Sequence, residues 1–338
     1  MKIIATVKER HDIELLSKID ELKKYGVYDY RFNYAKVRSE KEEIAFCENI
    51  NKLKFKHPDI NIMVDIPYPG RKKRLICKNR KILIEKGKEY VLWLKHLKES
   101  IIEDNEMFLN SNLNSNEFYI GQKIFYDMGE CCFKVVEIID EYKIRIKALN
   151  TYQVYSDKGI TTSNIEKNGY YDIVDRLIDR LDRVNTFALS FIEELKDLED
   201  AKRLKNKYSD ILFISKVETE KAIKNLHCIA KYSDYVMLGR GDLIVNSQTH
   251  RIMEYELKTK KICNECNCEV MFASGFLNSF INNYLPSHSD VIDVTLAINL
   301  NPDYLILNTD LVFSHRFSDA ISLINNIKKE QRDRRPII

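Results

Sequence analysis

The chain has 338 residues, 44% hydrophobic and 31% charged, which is ample for a buried core and for two or three domains or one barrel with an insertion. Its formal net charge of +3 is too small to mark a nucleic-acid or membrane-surface protein. No apolar run reaches the length of a membrane span and the charged start MKIIATVKERHD does not read as an export signal, so a cytoplasmic protein without nucleic-acid or membrane partners is expected.

KIIATV (2–7) reads as a first strand, followed by a helix through DIELLSKIDELKKYG that stops at Gly26. VYDYRFNY (27–34) is a second strand with the helix EKEEIAFCENINKLKFK after it, and INIMVDI (60–66) a third. Further runs follow at TFALSFI (186–192), DILFISK (210–216), DYVMLG (234–239), CEVMFAS (268–274) and DYLILN (303–308). Helical spacing fills the gaps between them; in ETEKAIKNLHCIAKYS, Ala222, Leu226 and Ile229 share one face. Eight such strand–helix units close into a (β/α)8 TIM barrel, an α/β fold, or open into a doubly wound sheet.

The stretch 69–159 breaks this rhythm. Ile144, Ile146 and Ala148 alternate there with Arg145 and Lys147, the period of a half-buried strand, and turns are expected at DMGE and IDEY. LNSNLNSNEF reads as a flexible loop, and the quartet RKKR, Arg71–Arg74, as a solvated basic face with a phosphate role for one member as the alternative. The expected organisation is a barrel from 1–68 and 160–338, with a small β-rich domain, 69–159, inserted after strand three. The eight cysteines, at 47, 77, 131, 132, 228, 263, 266 and 268, are expected as free thiols. CNECNC offers three sulfurs without a second Cys/His pair, so no structural metal is expected there.

In such barrels working residues sit at the carboxyl ends of the strands. Strand five ends in ISKVET, where Lys216 and Glu218, two apart, share a face. Taken alone the pair reads as a surface ion pair. Other strand ends add Arg31 and Asn33, Asp65, Ser190, Ser274 and Gly275, and Asn308 and Asp310. GRGD brings Gly241 and Asp242 on a glycine-flanked loop. This convergence turns the reading toward a site. Glu218 and Asp242 can share a hard divalent ion, Mg²⁺ or Mn²⁺. Lys216 can neutralise a transferred group or an enolate oxygen, Arg31 offers a fork for phosphate, and the glycines allow close backbone approach.

These motifs resemble pyruvate kinase. RFNYAK is similar to that family's RLNFSHG, VDIPYPGRKKR to LDTKGPEIR, YDMGE to the lid's DDG, YSDKGITTSN to KSRKGVNLPG, and ALSFI to AASFV. ISKVET resembles ISKIEN, YVMLGRGDLIV resembles IMVARGDLGVE, FASGFLNS resembles ATQMLES and DYLILNTD resembles DCVMLSGE, all in the family's order. The resemblance implies a barrel with the inserted β-domain as its lid. It implies Glu218 and Asp242 as metal ligands, Lys216 as the cation for phosphoryl group and enolate, and Ser274 in place of a threonine that orients substrate or relays a proton. It places Arg31 on the phosphoryl group, Lys158 and Lys36 on the nucleotide side, and Asn33 and Asp65 among the ligands of a monovalent-cation site. Ser190, Gly241, Asp242 and Ser274 would line the substrate.

Several positions depart from the family pattern. TIGPAS becomes TVKERH, the serine and histidine of RLNFSHG become Ala35 and Lys36, and the threonine after the third-strand aspartate becomes Ile66. The arginine of GPEIR becomes Lys72, the glutamine of TQM becomes Gly275, and the sequence ends after the eighth helix without the family's C-terminal regulatory domain. With Lys36 or Arg71 supplying charge in its place, potassium is expected to be dispensable. The expected function is metal-dependent phosphoryl transfer between a phosphoenolpyruvate-type compound and a nucleotide. The alternatives are a metal-dependent lyase or decarboxylase acting on a 2-oxo acid, and a non-catalytic binding protein. A homo-oligomer is among the expected assemblies.

Overall fold

A computed structural model describes residues 1–7, 13–37, 39–68, 72–98, 102–110, 113–127, 129–161 and 169–333. The chain divides into two compact units, Met1–Pro67 with Gly169–Ile338, and Tyr68–Asn168.

The first unit begins with strand β1 (Lys2–Val7), helix α1 (Ile13–Lys24), β2 (Asp29–Asn33), α2 (Glu40–Lys56) and β3 (Asn61–Ile66). Ser39 starts α2 by accepting from the Glu42 N–H, and Glu40, Glu42 and Glu43 lie in its first turn, where negative charge suits the helix dipole. The inserted unit holds β4 (Lys72–Cys77), β5 (Lys81–Ile84), β6 (Glu89–Trp93), β7 (Glu106–Leu109), β8 (Lys123–Tyr126), β9 (Cys131–Asp140), β10 (Lys143–Ala148), β11 (Tyr152–Tyr155) and β12 (Lys158–Thr161). The chain then returns through α3 (Tyr171–Arg180), β13 (Thr186–Leu189), α4 (Glu199–Lys207), β14 (Leu212–Val217), α5 (Glu220–Lys224) and α6 (Leu226–Lys231). It ends with β15 (Tyr235–Gly239), α7 (Arg240–Val245), α8 (Ile252–Glu265), β16 (Glu269–Ala273), α9 (His288–Asn299), β17 (Tyr304–Leu307), α10 (Thr309–Val312) and α11 (Phe317–Asp333).

The eight strands β1, β2, β3 and β13–β17 form a closed parallel barrel in chain order, sealed where Lys2–Ala5 pair with Tyr304–Leu307. The (β/α)8 barrel is the closed alternative, not the open sheet. Its interior is packed by Ile4, Met63, Ala188, Ile214, Met237, Met271, Ala273 and Ile306. In the inserted unit β10, β6, β7, β4, β12, β8 and β9 close a second barrel around residues such as Leu92, Met107, Phe133, Ile144 and Ile146, and β5 pairs with β11. Between β8 and β9, Asp127 and Gly129 of DMGE lie at positive φ, Met128 being outside the described residues, and β9 turns into β10 at Glu141–Tyr142. Because β12 pairs with β4 and β8, Ile160 and Thr161 belong to this unit.

Three local expectations are corrected. The run TFALSFI is a strand only to Leu189, because the chain bends at Phe191 (φ 56) and its N–H leaves the ladder. The single helix expected over ETEKAIKNLHCIAKYS is two short ones, broken at Asn225, whose side-chain amide donates to the Glu193 carbonyl at 2.8 Å. Ala222, Leu226 and Ile229 are nonetheless buried as its spacing required. GRGD is not a loop: Gly239 precedes α7, which puts Gly241 and Asp242 in its first turn. All eight cysteines are free thiols. CNECNC ends α8: the Cys268 N–H donates to the Cys263 carbonyl at 2.9 Å across Asn267 (φ 53), the usual left-handed helix stop. Among the described residues no helix is long and apolar enough to cross a membrane.

Candidate active site

Alternate residues of a barrel strand face the interior. Two places beyond the apolar Ile4, Met63, Ala188 and Ile214 stand Thr6, Asp65, Ser190 and Lys216, and β2 contributes Arg31 opposite Thr6. The same parity that fills the barrel with hydrocarbon thus ends it in polar groups.

Those groups bond to one another. Lys216 Nζ donates to Ser190 Oγ at 2.9 Å and to Asp65 Oδ1 at 3.2 Å, and lies 3.1 Å from Glu218 Oε1. Arg31 spans the other side of Asp65, with Nε at 2.8 Å and Nη2 at 2.5 Å from Oδ2, while Nη1 donates to Thr6 Oγ1 at 3.2 Å. The Lys216 side chain is only 9% exposed and that of Glu218 2%, so the strand-end pair is no surface ion pair. Burial disfavours the charged ammonium, but Asp65 and then Glu218 outweigh it and hold Lys216 above the ordinary lysine range. Burial likewise penalises ionised Asp65, and Lys216 with Arg31 prevail and keep its carboxyl below the usual range.

Glu218 is seated by backbone. Its Oε2 accepts the Phe191 N–H at 2.8 Å, the group released by the bend after β13. A Cβ on Gly239 would lie 2.6 Å from Glu218 Cγ, so only glycine there lets the carboxylate pass. Asp242 follows three residues later, half-buried, and its charge adds to those holding Lys216 protonated. Ser274 stands just past β16 in the left-handed region (φ 77), followed by Gly275 at φ 87. Ser190 is further fixed through its carbonyl, which accepts the Tyr170 hydroxyl.

The structure therefore links Arg31, Asp65, Ser190, Lys216 and Glu218 directly, with Asp242 acting on the same ammonium. Asn33 is turned to a local task, its Oδ1 capping the 3₁₀ turn Tyr34–Lys36 through the Ala35 N–H at 2.9 Å. Asn308 likewise caps α10. Lys158 opens β12 in the inserted unit, where its ammonium is 3.1 Å from Asp127. The side chains of Lys36 and Lys72, and Arg71 altogether, lie outside the described residues. Among the described residues no group of three or more His, Cys, Asp or Glu is arranged to hold a metal ion. Sequence reading missed Thr6, Gly239 as the slot for Glu218, and Arg240. The first was detectable from the inward parity of β1; the others depend on contacts that no motif announces.

The family profile described as pyruvate kinase, barrel domain, matches residues 1–311. The chain belongs to the pyruvate kinase family. It is similar to the pyruvate kinase of Thermotoga maritima, 27% identical over an alignment that covers 97% of this chain and 70% of the relative. The pyruvate kinase of Borreliella burgdorferi is 26% identical, covering 97% of this chain and 68% of the relative, and that of Candida albicans 24%, covering 96% and 65%. The chain thus spans about two thirds of the length of these pyruvate kinases.

Proposed function

We propose that this chain is a divalent-metal-dependent phosphotransferase of pyruvate kinase type, moving a phosphoryl group between an enolpyruvate-type compound such as phosphoenolpyruvate and a nucleotide. The observation that carries the reading is the buried ammonium of Lys216 set among Asp65, Ser190 and Glu218 at the carboxyl ends of the barrel strands. Kept protonated in a dry setting, it is a fixed positive charge for an enolate oxygen or a phosphoryl group in flight.

The donor set fits Mg²⁺ or Mn²⁺. Glu218 and Asp242 supply hard carboxylate oxygens beside one ammonium, and such ions use one or two protein carboxylates and leave the other positions to water and substrate. When bound, the ion would polarise the substrate's carboxylate and enol oxygens. Arg31, its side chain 18% exposed, keeps N–H groups beyond those spent on Asp65 and Thr6 and would take the phosphoryl group. Ser274, carried in a left-handed turn, would orient substrate or relay the proton to the enolate carbon. Lys158 would serve the nucleotide phosphates. With both Asp65 oxygens already engaged by Lys216 and Arg31, potassium is not needed to balance that carboxylate.

The test is a thermal-shift panel. Oxalate, an enolate mimic, should stabilise the unmutated protein only together with Mn²⁺ and should not stabilise Glu218→Gln. Pyruvate should form from phosphoenolpyruvate only when a nucleoside diphosphate is added, without potassium. Stabilisation by oxalate that ignores metal, or keto-acid turnover that ignores nucleotide, overturns the proposal in favour of a plain anion pocket or a lyase.

A further inference from the structure

Arg240 has no part in the roles assigned so far, yet it is one of the most heavily engaged side chains near the site. Its Nε donates to the Ser274 carbonyl at 3.1 Å. Nη1 reaches Glu256 Oε1 at 3.0 Å and Asp293 Oδ1 at 2.8 Å, and Nη2 reaches Asp293 Oδ2 at 2.6 Å. The guanidinium carbon sits 3.9 Å from the centroid of the Phe276 ring, and the side chain is 11% exposed. A single planar group therefore ties the start of α7 to α8, to α9 and to the turn after β16.

Most of these bonds would serve stability alone. The bond to Ser274 differs because of what it fixes. Ser274 (φ 77) and Gly275 (φ 87) are consecutive positive-φ residues, and a serine stays in that region only where its surroundings over-determine it. Holding the 274 carbonyl fixes the peptide that follows Ser274, and with it the backbone from which the Ser274 side chain projects. The same arginine directly precedes Gly241 and Asp242, so one rigid fork references the serine and the aspartate to each other.

We infer that Arg240 is a positioning residue, holding Ser274 in its left-handed turn in register with Asp242. The inference rests on the substrate-facing role proposed above for Ser274. Lysine at this position keeps a charge for Asp293 or Glu256 but lacks the fork that reaches the carbonyl at the same time.

The test compares the full-length unmutated protein, Arg240→Lys, Ser274→Ala and the double variant in Mn²⁺-dependent pyruvate formation from phosphoenolpyruvate and ADP. Arg240→Lys should lower kcat by roughly 10–100-fold, with KM for phosphoenolpyruvate within about threefold. The double variant should be no worse than Ser274→Ala alone, because the arginine acts through the serine. Losses that multiply, or an Arg240→Lys enzyme with unchanged kcat, overturn the inference. If Arg240→Lys does not fold, Arg240→Gln, which lacks the guanidinium Nε that donates to the Ser274 carbonyl, should lower kcat alike; full kcat there overturns it too. If the unmutated protein shows no metal-dependent turnover, the reading of the site has failed. A crystal structure of Arg240→Lys, or of Arg240→Gln, then decides the inference, which is lost if Ser274 keeps its φ near 77.

Discussion

Asp65 and Glu43 are both buried carboxylates gripped by two cations, and only one of them belongs to the proposed site. Asp65 lies between Arg31 and Lys216, which come from two different barrel strands. Glu43, in the first turn of α2, lies between Arg176 and Arg180 of α3, with Nη1 of Arg180 at 2.6 Å, and also accepts the Tyr34 hydroxyl. The inner cation Lys216 is nearly sealed and is shared with Ser190 and Glu218, whereas Arg176 is half exposed and serves to clamp two helices outside the barrel wall. A carboxylate between cations is therefore not by itself a mark of chemistry. What distinguishes the inner cluster is its address, at the strand ends, and an ammonium serving several acids at once.

The distinction between the two clusters vanishes if the inner cation can be removed without harm. Lys216→Met should cut turnover by roughly 10²–10³-fold or more, the scale for losing a preorganised charge at a reacting oxygen. It should also cost about 3–5 kcal/mol of stability, since Asp65 and Glu218 lose a buried partner; steady-state kinetics and urea denaturation check the two. Next in size is Gly239→Ala, whose new methyl collides with Glu218 Cγ. Turnover should fall about 10²-fold and stability by about 1–3 kcal/mol, with the apparent Mn²⁺ affinity weakened in a metal titration. The outer cluster sharpens the contrast. Glu43→Gln should lower stability by only about 1–2 kcal/mol, because one of its partners is half in water, and should leave turnover per folded molecule within about twofold.

The smallest effect is a pH dependence. Burial works against the charge on Glu43, but the Tyr34 hydrogen bond and the two arginines prevail and hold its carboxyl below the usual range. A depressed carboxylate contributes stability above its unfolded pKa of about 4.3 and loses it as pH falls through the native value. The urea midpoints of unmutated and Glu43→Gln protein should therefore differ at neutral pH and converge on acidification. Lys216 works with the opposite sign. Raised in the folded state, it contributes fully below about 10.4 and loses that contribution as pH climbs through its native value.

Much of the architecture was legible because it rests on local rules. Short apolar runs marked all eight barrel strands, and the loss of strand–helix rhythm from residue 69 marked the insertion. Lys216 with Glu218 could be placed on a common face from parity alone, whereas Asn33, two after Arg31, turns instead to cap the Tyr34–Lys36 turn. What stayed hidden depends on contacts between distant segments. No property of TFALSFI says that Phe191 will bend away to give its N–H to Glu218, 27 residues on. Nothing in GRGD says that its arginine turns back to a carbonyl 34 residues later while the first glycine makes room for a carboxylate from another strand. Burial was misjudged for the same reason. A lysine at a strand end is usually wet, and only the ring of acids supplied by neighbouring strands makes a dry one tenable.

The seal between β1 and β17 has a consequence for the order in which a ribosome can deliver this protein. Lys2 must wait for Tyr304, so the larger barrel stays open until that residue has been made. The inserted unit, by contrast, comes from one continuous stretch, Tyr68–Asn168, whose strands find partners within that stretch. Nascent chains arrested beyond about residue 200 should already protect the amides of β9 and β10 from hydrogen exchange while those of β1 still exchange freely. Equal protection of both would mean that the early strands do not wait for the last one.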